Sequence, residues 1–148
     1  MKKINLNFKS NLYSKLVGLL IKNGNKNKAK LIVDSVFLNL SKQTKQSLSY
    51  LLFKIFLNLN VFVESKTVRI KRSSHVVPFS IGLKRRSYLI IKWLMKAISE
   101  NNKNIPIVDK IVEEMLLIIN NSSSKALKLR NLNNSQAQAN RSNIHFRW

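Results

Sequence analysis

Cations are the residues of this sequence best placed to do chemistry, and they are unevenly spread. Lys66, Arg69, Lys71 and Arg72 share one short stretch, and Lys84, Arg85 and Arg86 follow it. From Val61 to Arg86 the stretch reads VFVESKTVRIKRSSHVVPFSIGLKRR. Val61 and Val63, Val68 and Ile70, then Val77, Phe79 and Ile81 recur at every second position. That is the period of strands, whose successive side chains point to opposite faces. Lys71, Arg72, Ser73 and Ser74 form a polar turn region between the apolar runs. The spacing predicts a β-hairpin that carries cations along its arm. Such a ribbon suits a polyphosphate groove. The same cations would also keep a solvated hairpin soluble, and the local sequence leaves both readings open.

Other chemistries have little to work with. There is no Cys, and His75 and His145 lie far apart without an HExxH-like pair, so no metal set is expected. Asp109 and Glu113 share a helical face like paired carboxylates. Acids early in a helix favour its dipole, however, and a solvated face is the ordinary explanation. Three Gly, none in a phosphate-cradling cluster, argue against a nucleotide site. The expectation is a chain with no catalytic residues, no cofactor and no enzymatic activity.

The charge balance points to a partner. The chain has 148 residues, with 27 Lys and Arg against 6 Asp and Glu, a formal net charge of +21. A small domain usually needs a charge of only about 2–8 in magnitude to stay soluble. The excess repels itself and opposes compaction unless a polyanion neutralises it. At 45% hydrophobic residues the chain can still bury a core. A nucleic acid is therefore the expected partner. An anionic membrane surface is the runner-up, with the first helix as a weak candidate, but it would leave the hairpin and the tail unexplained, so no membrane partner is expected. The longest apolar run, Tyr50 to Val63, is interrupted by Lys54, Asn58 and Asn60 and is too short to span a bilayer. The opening MKKINLNFK lacks the apolar run of a signal peptide and the Arg- and Ser-rich look of an import peptide. Lys exceeds Arg, and Asn and Ile are abundant, as an AT-rich coding sequence would produce.

Helices must position the hairpin. Phe8, Leu12, Leu16, Leu19 and Leu20 fall on one helical face, with Lys9, Lys15 and Lys22 among the other positions. Asn23-Gly24-Asn25 ends this first helix, since Gly accepts the left-handed conformation. Lys26 and Lys28 make the turn basic. A second helix is expected from Lys28 to Leu40, with Ala29, Ile32, Val33, Val36, Phe37 and Leu40 inward. Ser41 to Thr44 reads as a link to a third helix, on which Leu48, Leu51, Leu52, Ile55, Phe56 and Leu59 repeat the period. After the hairpin, a fourth helix runs from Lys84 to Glu100 with Leu89, Ile90, Trp93, Leu94, Ala97 and Ile98 apolar. Trp93 and Leu89 are expected to pack against the first three helices. Pro106 fits the first turn of a fifth helix continued by Ile107, Ile111, Met115, Ile118 and Ile119.

Beyond Asn120 the chain is polar and basic, a disordered tail or a helix that needs a partner. Gln136 to Asn140 could support a short helix. Ile144, Phe146 and Trp148 then alternate with His145 and Arg147. That ending could stack on bases or riboses, or it could pin the tail back onto the protein; both could hold. The fold expected is mainly α, a bundle of about five to six helices with a projecting basic β-hairpin between the third and fourth. Its single domain divides into helices one to three (8–60), the hairpin (61–82), helices four and five (84–119) and a basic C-terminal segment (120–148).

The ending QANRSNIHFRW resembles the EANRAFAHYRW-like ending of the small-subunit ribosomal protein seven family, of bacterial and organellar type. Leu12, Lys15, Gly24, Lys26 and Ala29 match that family's first two helices. Val63, Glu64, Arg69, Val77 and Pro78 match its ribbon. Arg85, Arg86, Leu89, Trp93 and Leu94 match the next helix, and Ala126, Lys128 and Arg130 a later basic segment. The likeness covers residues 8 to 148. It departs where the family usually has a Gly-Gly ribbon turn and this chain has Lys71-Arg72, at the shortened N-terminal arm with Lys2 and Lys3, and at Gln138 in place of an acid.

The resemblance implies a scaffold that binds the 3′ major domain of small-subunit ribosomal RNA and nucleates assembly of the subunit head. It implies a place near the exit-site tRNA and the mRNA exit path, with ribosomal protein eleven of the small subunit as a neighbour. A mitochondrial member fits the composition, with a plastid or bacterial cytoplasm as alternatives. The expected RNA contacts are Lys2, Lys3, Lys9, Lys15, Lys22, Lys26 and Lys28 on the first helices and their turn; Lys66, Arg69, Lys71, Arg72, Lys84, Arg85 and Arg86 on and below the ribbon; and Lys128, Arg130, Arg141, His145, Arg147 and Trp148 in the C-terminal segment. A basic DNA-binding or nucleoid-type protein is the alternative, though no recognition helix with a basic N-terminal half stands out.

Overall fold

The computed structural model describes residues 12–101 and 104–147. Phe8, Lys2, Lys3, Lys9 and Trp148 lie outside the described residues. The described chain is mainly helical. Helix α1 covers residues 12–20, followed by α2 (Lys26–Thr44) and α3 (Leu48–Leu59). The hairpin strands are β1 (Val63–Ile70) and β2 (Ser73–Ser80). Helices α4 (Leu83–Ser99), α5 (Ile107–Ile119) and α6 (Lys125–Ala139) follow, and a 3-10 helix closes the chain at Arg141–Phe146.

Leu12, Leu16, Val17 and Leu20 are the buried residues of α1, so Leu19 is a correction: it is 40% exposed. It falls at the edge of the arc those four define, and lines a surface groove of about 720 Å³ with Met95, Ile98 and Ile105. Asn23 and Gly24 both take positive φ, 52° and 74°, and turn the chain into α2 as expected. The expected link from Ser41 to Thr44 is instead the last turn of α2. Nothing there breaks a helix, because Ser41 Oγ donates to the Leu38 carbonyl (2.9 Å) and Thr44 Oγ1 to that of Leu40 (2.8 Å). The stop comes at Lys45, whose φ of 52° is left-handed and whose N–H closes on Ser41 O.

One core joins all six helices. Leu16, Val36, Leu40, Leu51, Leu59, Ile91, Leu94, Met115, Ile118 and Ala126 belong to it. A second, smaller cluster holds Val61, Ile81 and Leu89, with Trp93 half-buried against it. Leu89 and Trp93 therefore do not pack against the first three helices. They point to the hairpin root, while Ile90, Ile91 and Leu94 on another face of α4 enter the bundle.

The hairpin is an antiparallel pair running from Val63 opposite Ser80 to Ile70 opposite Ser73. Only Lys71 and Arg72 are left to turn the chain, because Ser73 and Ser74 already pair with Ile70 and Arg69. Lys71 has φ of 53°. The strand alternation is real but shallow: Val77 is buried, while Val63, Val68, Ile70 and Phe79 are only half-buried. Pro78 is tolerated because each strand of a two-stranded sheet is an edge.

The root is tied electrostatically. Arg85 at the start of α4 grips Glu64 of β1 with two bonds, Nε to Oε2 at 3.0 Å and Nη2 to Oε1 at 2.7 Å. Lys15 of α1 reaches across to donate from Nζ to the Lys84 carbonyl at 2.7 Å. Partial burial, and secondarily the charge of Lys84, push the Lys15 ammonium below the usual lysine range.

The C-terminal segment is a long helix with partners, not a tail. Ser124 caps α6 by accepting from the Leu127 N–H (3.3 Å), and donates its own hydroxyl to Glu114 Oε1 (2.7 Å). The same carboxylate oxygen accepts from the Ala126 N–H (3.1 Å). Glu114 is only 6% exposed. Further along α6, Arg130 Nη1 donates to the Asn58 carbonyl and Asn133 Nδ2 to the Val63 carbonyl (2.8 Å). The 3-10 helix then lies along β2: Asn143 Nδ2 donates to Val76 O (3.0 Å), Arg147 Nε to Pro78 O, and Phe146 stacks on His75 with centroids 4.7 Å apart. Of the two fates open to the ending, pinning back is the one visible in Phe146.

Glu114→Ala should destabilise the protein by about 2–4 kcal/mol, since it strands a buried hydroxyl and a helix-start N–H that shared one charged acceptor. Glu114→Gln retains an acceptor and should cost less than half as much. Equal melting temperatures for the two variants would show that the carboxylate is not what holds the start of α6.

Arg85, through its hydrogen bonds, holds the Glu64 carboxyl below the usual glutamate range against the opposing effect of burial; Lys66 and Lys92 add to the lowering. A depressed carboxyl contributes stability that is complete above the unfolded value of about 4.3 and is lost as pH falls through the folded value. Because the Arg85 side chain is 44% exposed, screening keeps the contribution under about 1 kcal/mol. Glu64→Gln should melt slightly below the parent at neutral pH, and the two melting curves should converge on acidification. A constant gap at every pH would remove the ion pair as the cause.

Candidate nucleic-acid interface

The hairpin places cations where little else competes for them. Lys66, Arg69, Lys71 and Arg72 are all exposed, and so are the neighbouring Thr67, Ser73 and Ser74. The outer half of the arm carries no buried residue, so its charges project from the protein and do not fold against it. Lys66 is the most engaged of the four, 3.9 Å from Glu64 and 5.9 Å from the centroid of Phe79.

The second basic group lies on the bundle. Lys22, Lys26 and Lys28 are exposed around the α1–α2 turn. Lys26 and Lys28 stand in the first turn of α2, which has no acid, and Asn25 makes no side-chain cap bond. A helix N-terminus carries a partial positive charge, so cations placed there oppose its dipole by about 0.3–1 kcal/mol each. The head of α4 repeats this pattern: Lys84, Arg85 and Arg86 follow the Gly82 cap, with no acid in the first turn. Glu64 neutralises Arg85 there from across the hairpin root. Two helix heads thus concentrate positive potential that local sequence does nothing to relieve, an arrangement that favours phosphate.

Several of the expected contacts also serve the fold. Lys15, Arg85, Arg130 and Arg147 commit donors to Lys84 O, Glu64, Asn58 O and Pro78 O. Arg86 donates from Nε to the Ile81 carbonyl at 3.0 Å. His145 is exposed, with Nδ1 2.7 Å from the Ser142 carbonyl. Lys84, Lys128 and Arg141 are exposed like the hairpin cations. The cations of α4 stand at the root of the hairpin whose arm carries Lys66, Arg69, Lys71 and Arg72. The Lys22–Lys28 turn is separate in sequence, and Lys15 is what links α1 to that root.

Sequence reasoning missed Glu114, whose neighbour Glu113 drew attention at four-residue spacing from Asp109. The only signal was Ser124 ahead of an Ala-Leu pair, a helix start in need of an acceptor. It also missed Asn133 and Asn143, which bond the backbones of the two strands. Among the described residues, no helix is long and apolar enough to cross a membrane.

Comparison with known proteins follows the same lines. The family model described as Ribosomal protein S7p/S5e matches residues 2–141. The small ribosomal subunit protein uS7 of Petrotoga mobilis is 30% identical over 137 residues, 93% of this chain and 87% of that protein. The uS7 of Thermosipho africanus matches to the same extent, 30% over 137 residues. That of Geobacter metallireducens is 28% identical over 141 residues, 95% of this chain and 89% of its own length. A match that runs from residue 2 to residue 141 takes in the helices and the hairpin alike, and the chain belongs to the S7p/S5e family of ribosomal proteins, structural constituents of the small ribosomal subunit.

Proposed function

We propose that this chain is a primary binder of small-subunit ribosomal RNA that nucleates assembly of the subunit head. Its RNA would be the 3′ major domain, its surroundings the exit-site tRNA and the mRNA exit path, and protein eleven of the small subunit one of its neighbours. The observation that carries this reading is the projecting arm: Lys66, Arg69, Lys71 and Arg72 are exposed on a hairpin that is held at its root and along β2. Rigid anchoring with a charged free end is what reaching into a polyphosphate groove requires. Lys22, Lys26 and Lys28 supply a second contact on the bundle, and Lys128 and Arg141 extend it along the C-terminal segment. The excess of Lys over Arg, with abundant Asn and Ile, supports a mitochondrial ribosome as the setting. Co-sedimentation with small subunits from isolated organelles tests that placement.

Each neutralised phosphate releases counterions, so the logarithm of affinity should fall with the logarithm of salt by about 0.9 per contact on duplex and 0.7 on single strands. Changing Lys71 and Arg72 together to Ser should leave melting within about 4 °C of the parent, because exposed residues at a free end carry little of the stability. Binding to a fragment of the 3′ major domain should weaken, and the salt slope should become shallower by roughly one to two. An unchanged affinity and slope would move the RNA surface off the hairpin, while equal competition by duplex DNA would favour a nucleoid-type protein.

A further inference from the structure

Phe62 belongs to neither buried cluster. It sits between α3 and β1 and is 61% exposed. Single exposed apolar residues are ordinary; what stands over this one is not. The Arg86 guanidinium carbon lies 4.3 Å from the ring centroid. Arg86 is half-buried, and its Nε bond to the Ile81 carbonyl fixes it independently of the ring. The cation is therefore a built backing for one face of Phe62. With that face covered, the exposure of the residue must come from the opposite face and the edge.

The other exposed aromatic residues differ. Tyr50 and Phe53 on α3 are 51% and 47% exposed, and among the described residues no cation stands over either ring. The chemistry around Phe62 also selects the ligand. Arg86 belongs to the basic head of α4, where Lys84 is exposed two residues away and no acid lies in the first turn. An apolar partner segment would have to bury those charges. A nucleotide has an apolar π-face for the ring and an anionic phosphate for the cations. Because the ring is already held against Arg86, little freedom remains to be lost on binding, and preorganised groups bind more tightly for that reason.

We propose that the open face of Phe62 is a stacking platform for one unpaired base of the RNA, with the adjoining phosphate at the side chain of Lys84. This rests on the reading of the chain as an RNA binder and names a site within it. The contact is tolerant of base identity, because every base has a π-face. It would make the hairpin root a reader of single-stranded RNA, distinct from phosphate tracking by the arm.

The test uses the full chain and two probes of equal length and charge: an oligouridylate, whose bases stack little on one another, and the matching abasic ribose-phosphate chain. The parent should bind the oligouridylate roughly tenfold more tightly, about what one base stacked on an aromatic side chain contributes. Phe62→Leu keeps an apolar cover over Arg86 and should bind both probes alike, at the parent's affinity for the abasic chain. Phe62→Tyr should restore the preference. Melting temperatures should be unchanged in both variants, given the exposure of the residue. If the parent binds both probes equally in a salt-dependent manner, or if Phe62→Leu retains the preference, the platform is overturned while RNA binding stands. If neither probe binds at all, the RNA reading fails and the platform falls with it.

Discussion

A single buried carboxylate governs where the C-terminal segment of this protein begins. Glu114 of α5 receives both the Ser124 hydroxyl and the Ala126 N–H. A charged acceptor at a helix start satisfies donors that the helix cannot satisfy itself and complements the positive pole of its dipole. That fixes where α6 begins and the direction in which it leaves. Every later tie follows from it: Arg130 to the end of α3, Asn133 to β1, then Asn143 and Arg147 to β2. The α6 sequence, with few apolar residues, could not hold such a course by hydrophobic burial alone. Only Ala126 and Leu127 of the helix are buried, both in its first turn.

The scarcity of acids makes each one informative. Against 27 cations there are 6; Glu64 organises the junction of the hairpin with α4, and Glu114 that of α5 with α6. Glu64 locks the near end of β1 to α4, and Glu114 sets the start of the helix whose Asn133 bonds to β1. What remains is an unpaired positive excess gathered on the arm and at the heads of α2 and α4. A fold with that distribution carries its own repulsion when alone. A polyanion bound to the folded state but not to the unfolded chain relieves it and adds stability by mass action.

The sequence made the helices and the hairpin legible because both rest on periodicity. Leu12, Leu16 and Leu20, or Leu51, Ile55 and Leu59, mark their faces without help from the rest of the chain. Where a boundary depended on side-chain to backbone bonds, as at Ser41 and Thr44, composition misled: polar residues read as a link, but their hydroxyls turn back onto the helix. Trp93 was legible as an apolar contact and not as to which cluster it joins, since that depends on the angle at which the hairpin leaves α4. The candidate surface divided in the same way. Exposed cations such as Arg69 and Lys71 are visible as a local excess. Arg85, Arg130 and Arg147 look identical in sequence and are tied internally, because their acceptors lie more than twenty residues away.

The tip of the hairpin shows how such a surface is balanced against strain. A two-residue turn needs a positive φ, and at Lys71 it is met by a residue with a Cβ, at 53°. Left-handed backbone in an L-residue costs roughly 1–2 kcal/mol, which a glycine would avoid. In an isolated hairpin that cost could prevent folding. Here the turn does not have to nucleate the strands, because Arg85, Asn133, Asn143 and Arg147 hold them from the root and along β2. The strain is confined to a segment with no buried residue, so it subtracts little from the stability of the bundle. In exchange the outermost positions carry Lys71 and Arg72, the two charges of the arm that reach furthest from the protein. A firmly rooted hairpin is thus the condition under which a charged, strained tip can replace a relaxed and uncharged one.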